Sequence, residues 1–194
     1  NYFISCGCKH WGFGFIQFGN SKNLFEYGSF VSCCGKSSNG QCYSALFQRH
    51  GPSELRFANG SHLNSIGREC GYHYGGGPKG FVSFVTFSTC SGPYIFSFHC
   101  VSTQTLIQEN VCTTNSSAAK SIAFLFNGKH QAKSLVFCES VTYIIRHSSY
   151  SGSVIFQNCL FGCSPTSASW ITTENCVFNC DKRILNARFN DKSV

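Results

Sequence analysis

An all-β chain wound into a right-handed parallel β-helix, a solenoid with irregular loops, is what this sequence predicts. Three observations carry the prediction. Apolar residues alternate with polar ones in short aromatic and β-branched bursts, with little helical periodicity. Gly, Ser and Asn separate the bursts. Cysteine-bearing segments return at roughly 20-residue intervals, a length suited to one turn of short strands and polar bends. A disulfide-rich antiparallel β-sandwich is the alternative architecture.

Each element follows from the same parity rule, since alternate residues of a strand point to opposite faces. Phe13 and Phe15 open the first burst. Tyr94, Phe96, Phe98 and Cys100 share one parity in PYIFSFHC, as do Ile122, Phe124 and Phe126 in SIAFLFNG. Val141, Tyr143 and Ile145 line one side of VTYII, and Val154, Phe156 and Asn158 one side of SVIFQN. Cys70, Cys90, Cys112, Cys138, Cys159 and Cys176 follow one another with that same spacing and mark the rungs. The connecting stretches read as loops: CCGKSSNGQC as a polar turn, CGYHYGGGPKG as a projecting loop, CTTNSSAAK as an excursion. Residues 1–180 are expected to form the solenoid domain, with repeats clearest in 70–180. Residues 181–194 (DKRILNARFNDKSV) read as a C-terminal cap or linker.

The sharpest repeat is Asn158–Cys163, NCLFGC, which returns after a short path as Asn175–Cys180, NCVFNC. In extended chain Cys159, Phe161 and Cys163 face one way, as do Cys176, Phe178 and Cys180. Leu160 and Val177 on the opposite side mean either that both faces are covered or that the Asn sits in a bend that resets the parity. Residues four apart in a strand are about 13 Å apart, beyond disulfide reach, so Cys159 is not expected to bond Cys163. Neighbouring rungs would put Cys159 over Cys176 and Cys163 over Cys180, as disulfides or as a thiol ladder. A four-thiolate zinc site is the competing reading of the same spacing, but Leu-Phe and Val-Phe between the cysteines favour extended chain over metal knuckles.

Composition bounds the setting. The 194 residues hold 14 Cys, 20 Phe and 19 Gly, with no Met and only 12% charged residues. A start at Asn1 reads as a mature product or a piece of a larger protein. An even cysteine count at this density, with sequons at Asn59 and Asn115, predicts an extracellular or cell-surface location. A ladder of buried free thiols would produce the same composition. No apolar run is long enough for a membrane-spanning helix. The net charge of +7 comes from scattered bases, which argues against nucleic acid as a partner and suits acidic proteins or anionic glycans.

Catalytic signatures are sparse. The acids Glu26, Glu54, Glu69, Glu109, Glu139, Glu174, Asp181 and Asp191 are widely spaced. Glu109, Glu139 and Glu174 would share a face only through stacking. No metalloprotease motif, nucleophile elbow or phosphate loop occurs, and His99 beside Cys100 reads as a surface histidine next to a structural cysteine. No cofactor or metal is expected. Trp11, Tyr72, Tyr74 and Trp170 stand in Gly- or Ser-rich surroundings and are candidate surface-contact aromatics.

Phe156-Gln157-Asn158-Cys159, Asn175-Cys176-Val177-Phe178, Phe137-Cys138 and Thr86-Phe87 give the chain its likeness to known proteins. In these segments it resembles the Cys/Phe-rich parallel β-helix proteins of cell surfaces, the polymorphic membrane proteins and the pectate-lyase-like surface repeats of protists. The resemblance implies an extracellular structural or adhesive segment, with protein partners or self-association through the solenoid's ends or faces. A glycan-binding or polysaccharide-degrading β-helix is the alternative; the Asp and Arg cluster of pectate lyases has no counterpart here.

Overall fold

The structure, a computed structural model, describes residues 2–8, 15–35, 45–66, 69–77, 79–100, 104–137, 145–147, 152–163 and 169–179. Every strand pairing among them is parallel. A long sheet stacks Tyr2–Ile4, Asn23–Val31, Ser53–Ser61, Lys79–Ser88, Thr105–Thr114, Lys129–Lys133, Ser153–Gln157 and Ile171–Glu174 in chain order. A second sheet is centred on Ser91–His99, between Glu69–Gly75 and Ser117–Phe126, and continues through Leu46–His50 and Phe15–Gly19. The chain therefore crosses the long sheet, turns a corner, crosses the second sheet and returns one rung further on. This is a right-handed parallel β-solenoid, the hand favoured when a twisted strand returns to its own sheet.

Rung length differs from the expected period. Phe25 pairs with Leu55, Leu55 with Val82, Val82 with Gln108, Gln108 with Ala132, Ala132 with Phe156 and Phe156 with Thr173. Rungs thus shorten along the stack, and every one but the last is longer than the cysteine spacing suggests. The marker cysteines do not share one column. Cys112 lies on the outward parity of the long sheet beside inward-facing Val111 and Thr113, whereas Cys90 and Cys159 follow corners. The described part of the chain up to Ile66 belongs to the same stack, with Phe3 paired to Phe30 and Phe30 to Gly60.

Inward columns form the core. Phe3, Phe30, Gly60, Phe87, Thr113, Phe137 and Phe161 succeed one another in register. Phe3 and Phe30 stack with centroids 4.8 Å apart, the strand spacing itself. Each buried Phe contributes about 1.5–3 kcal/mol through removal from water, which is why a chain with few charges can hold this shape.

The corners explain the Asn-Cys repeat. Ser5, Ser32, His62, Thr89 and Asn115 have φ between 50° and 53°, and Cys6, Cys33, Leu63, Cys90 and Ser116 follow them. A second left-handed column, with φ from 51° to 55°, runs through Tyr27, Phe57, Phe84, Asn110, Ser134, Asn158 and Asn175. A single left-handed residue puts two successive side chains on the outside, so alternation restarts with the next one inward. Asn158 is exposed while Cys159 and Phe161 are buried, which makes the Asn a parity-resetting bend. The thiol after the bend is small enough for the inner corner, and its S–H reaches back two residues. Cys159 Sγ donates to the Gln157 carbonyl at 3.2 Å and Cys176 Sγ to the Glu174 carbonyl at 3.3 Å. Cys90 Sγ does the same to Ser88 at 3.3 Å.

Two expected loops are strands. Residues 69–75 of the Gly-rich segment pair with Ser91–His99, and residues 105–126 form two strands joined by the Asn115 corner. Glycine serves here as a packing residue. A Cβ on Gly77 would overlap the Gly51 carbonyl oxygen of the preceding rung, so these turns approach more closely than any side chain allows.

Candidate functional site

Tyr72 and Tyr74 are not surface aromatics. Both lie on the inward parity of the second sheet and are fully buried. Their hydroxyls are satisfied inside: Tyr72 donates to Gln48 Oε1 at 2.8 Å and Tyr74 to the Gly77 carbonyl at 2.6 Å. Gln48 Nε2 in turn donates to Gln17 Oε1 at 2.9 Å, giving a polar thread through the core. Trp170 is half-buried and packs against the core edge. Trp11 lies outside the described residues. Asn59 and Asn115 are both exposed, the first on the outer face of the long sheet and the second at a corner.

Cys159 and Cys176 occupy adjacent rungs, since Leu160 bridges Val177 and the Val177 amide donates to the Cys159 carbonyl at 2.9 Å. Both are thiols without a disulfide. Cys163 is half-buried against the core, and Cys180 lies outside the described residues. Among the described residues, no three His, Cys, Asp or Glu side chains gather as a metal ion requires.

Among the described residues, Glu109 and Glu174 share a face but stand apart along it. Glu26, Arg56, Ser83, Glu109, Lys133, Gln157 and Glu174 form one outward column. Glu109 is three rungs from Glu26 and three from Glu174, about 14 Å at the strand spacing. Glycoside hydrolysis places its carboxyl pair closer than about 9.5 Å. Glu139 lies outside the described residues. Glu54 is tied to Lys22 Nζ and to Arg56, both at 2.9 Å. Desolvation by burial pushes the Cys100 thiol up to about 12, so it is protonated at neutral pH, the reverse of an activated nucleophile.

The feature that alternation did not reveal is an exposed aromatic ladder on the long sheet. Tyr27 and Phe57 stack at 4.9 Å with rings 6° apart, and Phe57 and Phe84 at 5.1 Å with rings 8° apart. Their exposures are 67%, 40% and 52%. All three occupy left-handed positions, where the same column elsewhere carries Asn or Ser. Bulky residues meet a steric cost of about 1–2 kcal/mol in that conformation, whereas Asn tolerates it. Each stacked pair returns about 0.5–1.5 kcal/mol. Stacking therefore does no more than offset the strain, and exposed Tyr-Phe-Phe at this place needs a reason beyond stability. Leu24, 42% exposed, lies on the same outer face, and the Arg56 guanidinium lies 5.1 Å from the Phe81 ring centre. The readable signal was an aromatic followed by a small or β-branched inward residue, once per rung, in Glu26-Tyr27-Gly28, Arg56-Phe57-Ala58 and Ser83-Phe84-Val85.

The three rings press their faces on one another along the solenoid axis, so the surroundings meet ring edges. Edges carry the positive end of the ring quadrupole and favour carbonyl or carboxylate oxygens and the faces of other rings. Sugar stacking uses free ring faces, which the ladder offers only at its two ends.

No helix among the described residues is long and apolar enough to cross a membrane. Compared with protein-family models, curated proteins and solved structures, the chain matches none. The cysteine- and aromatic-rich parallel solenoid is thus established by the chain's own register, without a specific surface-protein family attached to it.

Proposed function

We propose that the chain is an extracellular structural or adhesive segment that associates laterally through the outer face of its long sheet, with a second copy as the partner. The Tyr27–Phe57–Phe84 ridge carries the reading. It is a contiguous exposed aromatic surface on a rigid parallel sheet, retained at positions where Asn would cost less. Lys22 and Arg56 pair with Glu54 beside the ridge, a charged border of the kind that rims an apolar contact surface. The exposed sequon residues Asn59 and Asn115 support an extracytoplasmic setting. Edge-on rings, and a Glu54 carboxylate held by Lys22 and Arg56, favour a protein partner over polysaccharide binding or cleavage.

Sedimentation over a concentration series tests the reading. The wild type self-associates, and a variant carrying Tyr27→Asn, Phe57→Asn and Phe84→Asn sediments as a folded monomer. A wild type that stays monomeric at the highest soluble concentration, or a variant that associates equally well, rejects it.

A further inference from the structure

Two thiols in neighbouring rungs at one corner have a chemical consequence. Asn158 and Asn175 turn the chain identically, and three backbone hydrogen bonds lock the rungs around them: Asn158 N to Glu174 O at 3.0 Å, Val177 N to Cys159 O at 2.9 Å and Phe161 N to Val177 O at 2.9 Å. The two residues that follow the bends are therefore held about one strand spacing apart, near 4.8 Å, inside the range of Cα separations that disulfides accept. Their side chains point to the same interior, and Cys176 Sγ reaches back to the Phe156 carbonyl of the preceding rung at 3.5 Å. Cys6 and Cys33 repeat the arrangement at the other corner in the first rungs, where Gly7 pairs with Cys34. Further along that corner, Leu63 and Ser116 stand as the column neighbours of Cys90, in place of cysteine.

We propose that Cys159 and Cys176 form an oxidisable pair, closed by small-molecule disulfides into a cross-rung bridge that pins the last described rung to the one before it. Cys176 is the half-buried member and reacts first. Its thiolate attacks one sulfur of oxidised glutathione, forming a mixed disulfide and releasing one glutathione thiolate, which takes up a proton. Cys159 then loses its proton to solvent and attacks the Cys176 sulfur, forming the Cys159–Cys176 bond and releasing the second glutathione. The chain loses two electrons and two protons, and one oxidised glutathione becomes two reduced ones. Burial pushes the Cys159 thiol up to about 12, which makes it the resolving partner and the second step the slow one.

The test treats the reduced full chain with oxidised glutathione, blocks remaining thiols with an alkylating agent and maps peptides by mass. A Cys159–Cys176 linked peptide that dithiothreitol removes is the expected product. The Cys159→Ser variant should instead hold glutathione on Cys176. Serine suits this position, because Ser116 fills the equivalent place after the bend at the other corner and donates to the Thr114 carbonyl at 3.1 Å. In the bridged protein, amide exchange at Val177 should slow about tenfold, since opening that rung now requires stretching a covalent link. Persistent glutathione on wild-type Cys176 without linkage, recovery of both thiols alkylated, or linkage of Cys176 to any other cysteine overturns the proposal.

Discussion

Gly60 and Phe87 face each other across adjacent rungs, and the Phe87 ring fills the space that a side chain at Gly60 would need. A Cβ on Gly60 would collide with Phe87 Cδ1 and lie 2.8 Å from Leu63 Cδ1. Gly60 is therefore the smallest member of a mostly aromatic column, and its neighbour's ring is about 1% exposed with nowhere to retreat. Gly60→Ala should cost about 3 kcal/mol, the upper part of the overpacking range. Phe87→Leu in the same chain should recover part of that loss. Urea denaturation of both single variants and the double variant checks the coupling, and strictly additive losses would refute the packing argument.

Asn158 should accept glycine and resist branched residues. Its φ of 54° is compatible with Gly and Asn, while Val carries a steric cost of about 1–2 kcal/mol there. Denaturant midpoints should rank the wild type close to Asn158→Gly and well above Asn158→Val. Equal midpoints for Gly and Val would show that the bend does not constrain the chain.

Phe57→Asn should be close to neutral for stability, within about 1 kcal/mol, because relief of left-handed strain offsets the loss of two ring stacks. Removal of an equally large but buried ring, as in Phe87→Ala, should cost about 3–5 kcal/mol. Thermal unfolding of the two variants gives the comparison. A large loss for Phe57→Asn would make the ladder a structural element and weaken its reading as a contact surface.

Alkaline pH should erode the stability of the solenoid through its buried thiols. The Cys100 and Cys159 thiols are raised from the ordinary 9.0 to about 12, chiefly by burial. Below pH 9 both states keep these protons, so stability is fully present. Between pH 9 and 12 only the unfolded chain releases them, and stability falls by roughly 1.4 kcal/mol per pH unit for each thiol. Buried Tyr72 and Tyr74, also raised by desolvation, add to the decline above pH 10. Urea midpoints from pH 8 to 11, with reductant present, should be flat at first and then drop. Cys100→Ala should shallow the drop, and a flat profile to pH 11 would exclude the mechanism.

Local parity was legible in the sequence. Alternation alone puts Cys159 and Phe161 on one shared face, and the apolar Leu160 on the other side leaves a bend at Asn158 as one of two solutions, which the structure selects. Tyr72 and Tyr74 were misread because glycine-rich surroundings suggest a loop, whereas the glycines here let turns of neighbouring rungs approach. The aromatic ladder stayed hidden because Tyr27, Phe57 and Phe84 are one ring per rung at unequal spacings, and only the register stacks them.

The sequence by itself determined where the aromatic bursts form strands, which side chains share a strand face, and that an all-parallel return was the best use of them. Alternation is a property of the extended backbone and needs no neighbour. The tertiary structure alone decided which residue lies over which. Rung offsets shrink from the Phe25–Leu55 pair to the Phe156–Thr173 pair, a change that alternation within a strand does not encode. Stacking is fixed only when main-chain hydrogen bonds and buried rings select one register together, and that selection created both the exposed aromatic column and the facing thiols.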